Sequence, residues 1–282
     1  MDRVAKFGVL NIVAHPHPAG TYRELFEVAG KDIRGVRFWG DRFATLSPIS
    51  PTRNGVFVGK LATWTEIEPQ SNLIEKASLN QQLLAESDVN LPEGIGFNSR
   101  VFSFAFREQD HKLFVELKND EGNSISIGRA RLAIKNVLKA CQPKDIEELD
   151  VHLTTQANAV EHVLAIPQLR KLEILLDLPN PDVLSDRKRK ILDQIEGIKA
   201  KRVKTEITKA AGEDRIELDP EYTAMAELAK DNGYVFGKGR NEFGDPVELN
   251  TKNYPLEIDT VLEQQESSAI ATRRVAENQN VD

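Results

Sequence analysis

An α+β fold in two domains, each an antiparallel sheet backed by helices, is what the sequence predicts. Three observations carry that expectation. Runs of period-two alternation sit beside one another in the first half, segments with helical apolar spacing follow them, and 282 residues exceed the roughly 150 of one typical domain. Apolar residues at 40% and charged ones at 29% suit a water-soluble, core-forming chain, and the apolar run at 7–14 is far shorter than the ~20 residues that span a bilayer. Direct membrane insertion is not expected. With no signal-peptide pattern and a single cysteine, Cys141, the expected compartment is the cytoplasm.

Residues 6–14 read as a buried strand, stopped by His15-Pro16-His17-Pro18. Thr21 reads as the N-cap of a helix through Ala29, with Glu24 completing a capping box and Gly30 ending it. Residues 34–39 and 56–67 carry the β-branched and aromatic side chains of strands, with Arg53-Asn54-Gly55 as turn chemistry ahead of the second. Residues 73–86 show helical spacing at Leu73, Ile74, Ala77, Leu79, Leu83 and Leu84, closed by Pro92-Glu93-Gly94. Along 99–107, Phe102, Phe104 and Phe106 share one face of a strand. Leu113, Val115 and Leu117 repeat the pattern, Asn119-Asp120-Glu121-Gly122 turns the chain, and Ile125 and Ile127 continue the meander. A helix at 129–140 follows, with the stripe Leu132, Ile134, Val137 and Leu138.

The polar, proline-bearing stretch 143–148 marks a boundary, giving domains at 1–145 and 146–262. In the second domain, residues 149–154, 157–166 and 172–178 are expected to make a strand, helix, strand unit. One long basic helix is expected from Val183 to about Ala210, with Ile191, Leu192, Ile195, Ile198 and Val203 on its apolar side. Pro220 opens a further helix ended by Asn232-Gly233, and residues 234–240 and 247–250 form a hairpin. Residues 263–282 are rich in Gln, Glu, Ser and Asn and read as a polar mobile tail.

Acidic residues outnumber basic ones 44 to 37, which excludes an evenly cationic surface. Phosphate, however, responds to local clusters within a Debye length of about 8 Å. Arg187, Lys188, Arg189 and Lys190 at one end of the expected helix, and Lys201, Arg202 and Lys204 at the other, form such clusters. On one helix they would lie ~20 Å apart. Gly237-Lys238-Gly239-Arg240 adds Lys238 and Arg240 among glycines, where a phosphate can approach backbone amides; the alternative is a strand edge guarded against aggregation. No base-reading motif accompanies these cations, so the expected partner is DNA, bound through its phosphates without sequence preference.

His15 and His17 are candidate metal ligands for a nuclease or toxin, with His152, Glu161 and His162 as conjectural additions. The alternative is two loop histidines beside prolines. Cys141 sits near a helix C-terminus, where the dipole disfavours thiolate, and reads as structural. Neither a Gly-x-Ser-x-Gly elbow nor a phosphate-binding loop is spelled, so no catalytic residue and no cofactor is assigned.

The order of elements resembles the prophage exclusion protein A family of the lambda Rex type, and more loosely the DNA-binding component of Kiwa-type antiphage systems. The aromatic strand at 101–107 with its hairpin, the unit at 149–178, the Lys/Arg-rich helix and the late hairpin at 239–245 carry the resemblance, which spans 55–258. It implies a cytosolic, two-domain homodimer that binds DNA without sequence preference and senses or blocks phage replication by abortive infection. A membrane protein or another defence component is the implied partner. The resulting expectation is a non-enzymatic DNA-binding sensor or exclusion factor. A metal-dependent nuclease and a protein–protein assembly module are the alternatives.

Overall fold

A computed structural model describes residues 3–32, 34–52, 55–68, 70–89, 94–180 and 185–280. In chain order the elements are β1 (Val4–His15), α1 (Thr21–Ala29), β2 (Val36–Trp39), β3 (Arg42–Leu46), β4 (Ser50–Pro51), β5 (Val56–Thr65), β6 (Asn72–Ile74), β7 (Gln81–Leu83), β8 (Phe97–Arg107) and β9 (Lys112–Glu116). There follow α2 (Ile127–Ala140), β10 (Glu148–Leu153), α3 (Ala157–Leu164), β11 (Gln168–Asp177), α4 (Asp186–Gly197), β12 (Arg202–Thr208), α5 (Pro220–Asn232), β13 (Gly233–Arg240), β14 (Pro246–Asn250), β15 (Glu257–Val261) and α6 (Ser268–Asn278). The fold is α+β, with antiparallel sheets backed by helices, as the sequence predicts.

The larger sheet runs β10-β1-β9-β8-β5-β3-β2, with β15 also on β1 and β4 on β5. β1 is its spine because both of its faces are apolar. Leu10, Ile12 and Ala14 join the core under α1 and α2, whereas Ala5, Phe7 and Val9 pack with α6, the two-sided burial that period-two alternation permits. Phe104 and Phe106 of β8 meet Phe26 of α1 at ring separations of 5.6 and 5.0 Å, and Phe102 is buried with them.

The second sheet runs β12-β11-β13-β14, every pair antiparallel. Leu172, Ile174, Leu176 and Val235 line one face and bury against Val160 and Val163 of α3, Ile191 and Ile195 of α4, and Ala226 and Leu228 of α5. The two sheets meet where β1 and β10 pass α5 and the end of β11. There Asn11 donates to Asn232 Oδ1 at 3.0 Å, buried Lys112 pairs with Asp231 at 2.6 Å, and Asn180 donates to the Ile12 carbonyl at 2.9 Å.

Several elements differ from the expectation, each for a local reason. Residues 73–86 form the β6–β7 hairpin and a 3-10 turn rather than a helix, because Leu79 takes a left-handed φ of 58°, and of the expected stripe Leu84 is buried while Ile74 and Leu79 stay exposed. Ile127 begins α2 instead of extending the meander, since the Ser126 hydroxyl caps the Arg129 N–H. Gly20, not Thr21, caps α1, and the Thr21 hydroxyl donates to Pro18. The expected strand, helix, strand unit is divided: β10 pairs with β1 in the larger sheet, while β11 lies inside the second. The larger sheet therefore draws β10 and β15 from beyond the expected boundary at 145.

The expected mobile tail contains α6, whose Ala271, Thr272, Val275 and Ala276 are buried against the larger sheet. Small side chains let the helix approach closely where composition alone reads as polar. Arg107 locks its end by donating to the Ala276 and Gln279 carbonyls, both at 2.8 Å. Arg53 and Asn54 of the expected turn, Pro92 and Glu93 of the expected stop, and Val183 at the expected start of the basic helix lie outside the described residues.

Candidate nucleic-acid interface

The single long basic helix does not form. α4 ends at Gly197, the chain turns through Lys199 with a φ of 54°, and β12 begins at Arg202. The cause is a change of period: Val203, Thr205 and Ile207 alternate with Arg202, Lys204 and Glu206, and this strand pairs along the whole of its length with β11. The expected cations are thereby separated onto two sides of one sheet. Arg187, Lys188, Arg189 and Lys190 stand on the opening turns of α4, the helix whose Ile191 and Ile195 join the core on the covered face. Arg202 and Lys204 point the other way.

Lys238 and Arg240 join Arg202 and Lys204. On β13 the buried side belongs to Val235, Gly237 and Gly239, and a Cβ at Gly237 would lie 2.6 Å from Val163, one at Gly239 2.2 Å from the Gln168 carbonyl. The glycines of this motif serve close packing under the strand rather than a phosphate cradle. Nor is β13 an edge, since β11 and β14 flank it. Its other side therefore presents Tyr234, Phe236, Lys238 and Arg240 in a row.

Register completes this open face. Lys204, Leu175 and Tyr234 align across β12, β11 and β13; Glu206, Glu173, Phe236 and Asn250 form the next row; Thr208, Lys171, Lys238 and Glu248 the one after. Lys171 and Lys238 are thus direct cross-strand neighbours of like charge. Each is drawn outward, Lys171 to Glu206 at 2.9 Å and Lys238 to Glu248 at 2.5 Å. Arg202 pairs with Asp177 at 2.6 Å and Lys204 with Glu173 at 3.0 Å.

The electrostatics follow from these partners. The Tyr234 hydroxyl and then Lys204 hold Glu173 below its ordinary value. Burial and the same carboxylate push Tyr234 up to about 12. Glu206 raises Lys171, and Asp177 raises Arg202, whereas burial lowers the Lys252 ammonium, which sits 3.6 Å over the Tyr234 ring. Lys171, Tyr234, Phe236 and Lys252 escaped the sequence reading. The alternation Tyr234, Phe236, Lys238, Arg240 was a legible signal for two of them, but the place of Lys171 depends on strand register.

The remaining expected residues lie elsewhere. Lys201 leaves the face to pair with Glu148 on β10. Lys188 pairs with Glu227 at 3.0 Å beside a cavity of about 320 Å³ between α4 and α5, lined also by Ser185, Arg187 and Thr223. A larger groove of about 870 Å³ follows the junction of the sheets, past Asn11, His111, Lys112 and Asp231.

His15 and His17 pack ring to ring at 5.7 Å, and His111, unforeseen from sequence, lies 5.4 Å beyond His17. His17 Nδ1 is 2.7 Å from the Ala14 carbonyl and His15 Nε2 3.4 Å from that of Leu178. Burial pushes His15 down. His152 lies on β10 opposite Asn11, near Asp177 at 3.9 Å. Among the described residues no group of three His, Cys, Asp or Glu side chains is arranged to hold a metal ion. Cys141 caps the end of α2, and burial raises its thiol.

Two comparisons bear on the chain. A family model described as a domain of unknown function, DUF4747, matches residues 3–277. No curated protein matches it.

Proposed function

We propose that this chain, which belongs to the DUF4747 family, binds nucleic acid without sequence preference by holding phosphates on the open face of its four-stranded sheet. The observation that carries the reading is the direct opposition of Lys171 and Lys238. Like charges in cross-strand register destabilise a sheet, and a phosphate between them would remove the repulsion. The outward ion pairs offer little resistance, because exposed pairs are worth about 0–1 kcal/mol. Arg202, Lys204 and Arg240 extend the cationic field along the same face.

Binding rather than catalysis is favoured because each carboxylate on the face is already held by a cation: Asp177 by Arg202, Glu173 by Lys204, Glu206 by Lys171 and Glu248 by Lys238. None is poised as a free base. The proposed setting is a sensor or exclusion factor in antiphage defence; of the features that suggested it, the aromatic strand at 101–107 and the hairpin at 239–245 remain, whereas the unit at 149–178 is divided and the single basic helix is replaced by α4 and β12. The reading is tested by fluorescence polarisation with labelled oligonucleotides of unrelated sequence at stepped salt. Affinity alike for every sequence and falling with salt is expected. Absence of binding at low salt, or affinity indifferent to salt, would overturn it.

A further inference from the structure

We infer that the nucleic acid taken by this face is a single strand, with a base stacked on Phe236, and not a duplex. The inference rests on the phosphate-binding reading above. Width decides first. Four strands at about 4.8 Å spacing make a face about 14 Å across before side chains are added, wider than the ~12 Å major groove, which admits one helix or a two-stranded ribbon. A duplex could meet such a face only along the outside of its backbone. An unpaired strand can lie flat on it with its bases turned inward.

Phe236 supplies the surface for those bases. It stands on an inner strand, between Glu173 and Asn250 across the sheet, half-buried on a face that is otherwise mostly polar. Among the described residues it stacks on no ring and sits under no cation. Tyr234, about 7 Å along the same strand, has Lys252 over its ring, whereas half-buried Phe236 has, among the described residues, no cation on its own. Leu175, beside Tyr234, widens the apolar strip. Cations bracket it, with Lys204 one row before Phe236 and the Lys171–Lys238 pair one row after. A base on Phe236 thus has a phosphate site on either side, the combination of stacking platform and basic track that single strands favour.

The test uses the full chain and one sequence in four forms: single-stranded DNA, single-stranded RNA, the DNA duplex, and a DNA strand of the same length with its central bases removed. Polarisation at low salt is expected to show one or both single strands binding about tenfold or more tighter than the duplex. The base-free strand should lose most of that advantage. Phe236→Leu should weaken single-strand binding about tenfold with the duplex unchanged, while Phe236→Tyr retains it. Equal binding of duplex and strand, or an undiminished base-free strand, would overturn the inference and leave the phosphate reading intact. Failure of every form to bind would overturn both. The base-free strand decides the matter without any change to the protein.

Discussion

Lys171 on β11 and Lys238 on β13 face one another directly across the middle of the second sheet, each turned outward to a glutamate on the flanking strand. The arrangement sets two cations side by side, each held by a single exposed carboxylate. If phosphate occupies the space between them, Lys171→Glu with Lys238→Glu should lower nucleic-acid affinity about tenfold or more. Arg187→Glu with Lys190→Glu, on the helix-covered side, should change it less than about twofold, since that side lies beyond a Debye length of ~8 Å. Polarisation of both double variants, with circular dichroism to confirm folding, separates the two faces. A greater loss from the α4 variant would assign the phosphates to α4.

Tyr234 provides a pH signature of the same face. Its hydroxyl donates to Glu173, and its pKa is pushed up to about 12 from an ordinary 10.0. The folded state holds this proton more tightly than the unfolded one, so the contribution is complete below pH 10 and is lost as pH rises from 10 to about 12. Urea denaturation across that window should show stability falling, and Tyr234→Phe should remove that part of the fall. Ultraviolet titration should show a tyrosine ionising near 12 that Tyr234→Phe removes.

The junction between the sheets depends on Lys112, which is 7% exposed and pairs with Asp231. Removing one partner strands the other among Asn11, Asn232 and Thr154. Lys112→Met should cost about 2–4 kcal/mol, and adding Asp231→Leu should restore part of it. A double-mutant cycle by urea denaturation is expected to give a coupling energy of about 1 kcal/mol or more. Purely additive effects would mean that the pair does not hold the sheets together.

Arg107 ties α6 to the larger sheet through two carbonyls at the helix end and pairs with Asp110 at 2.6 Å. Arg107→Ala should raise amide hydrogen exchange across 268–278 without altering that of β1. Unchanged exchange there would show that the apolar contacts of Ala271 and Val275 hold the helix alone.

How much of this was legible in sequence depends on whether the deciding contact is local. The alternation that puts Phe102, Phe104 and Phe106 on one side of β8 is local, and so is the apolar run of β1. Both elements were correctly expected. The segment after Ser185 begins with a genuine helix, and its Lys, Arg and Glu residues remain good helix formers beyond Gly197, so composition extends α4 where only pairing with β11 shows a strand. α6 was hidden because Ala271, Thr272 and Ala276 contribute burial through closeness rather than bulk. The cations Arg202, Lys204, Lys238 and Arg240 could be named in sequence. Their common face could not, because it follows from register between β11 and β13, whose partners stand far apart in the chain, Gln168 opposite Arg240 and Leu176 opposite Gly233.

The most direct test of the account is hydrogen exchange read by mass spectrometry on the full chain with and without a single-stranded oligonucleotide. Protection confined to β11, β12 and β13, around Lys171, Lys204, Phe236 and Lys238, is the result expected. Protection centred instead on the opening turns of α4, at Arg187 to Lys190, with β11 and β13 unchanged, would contradict it.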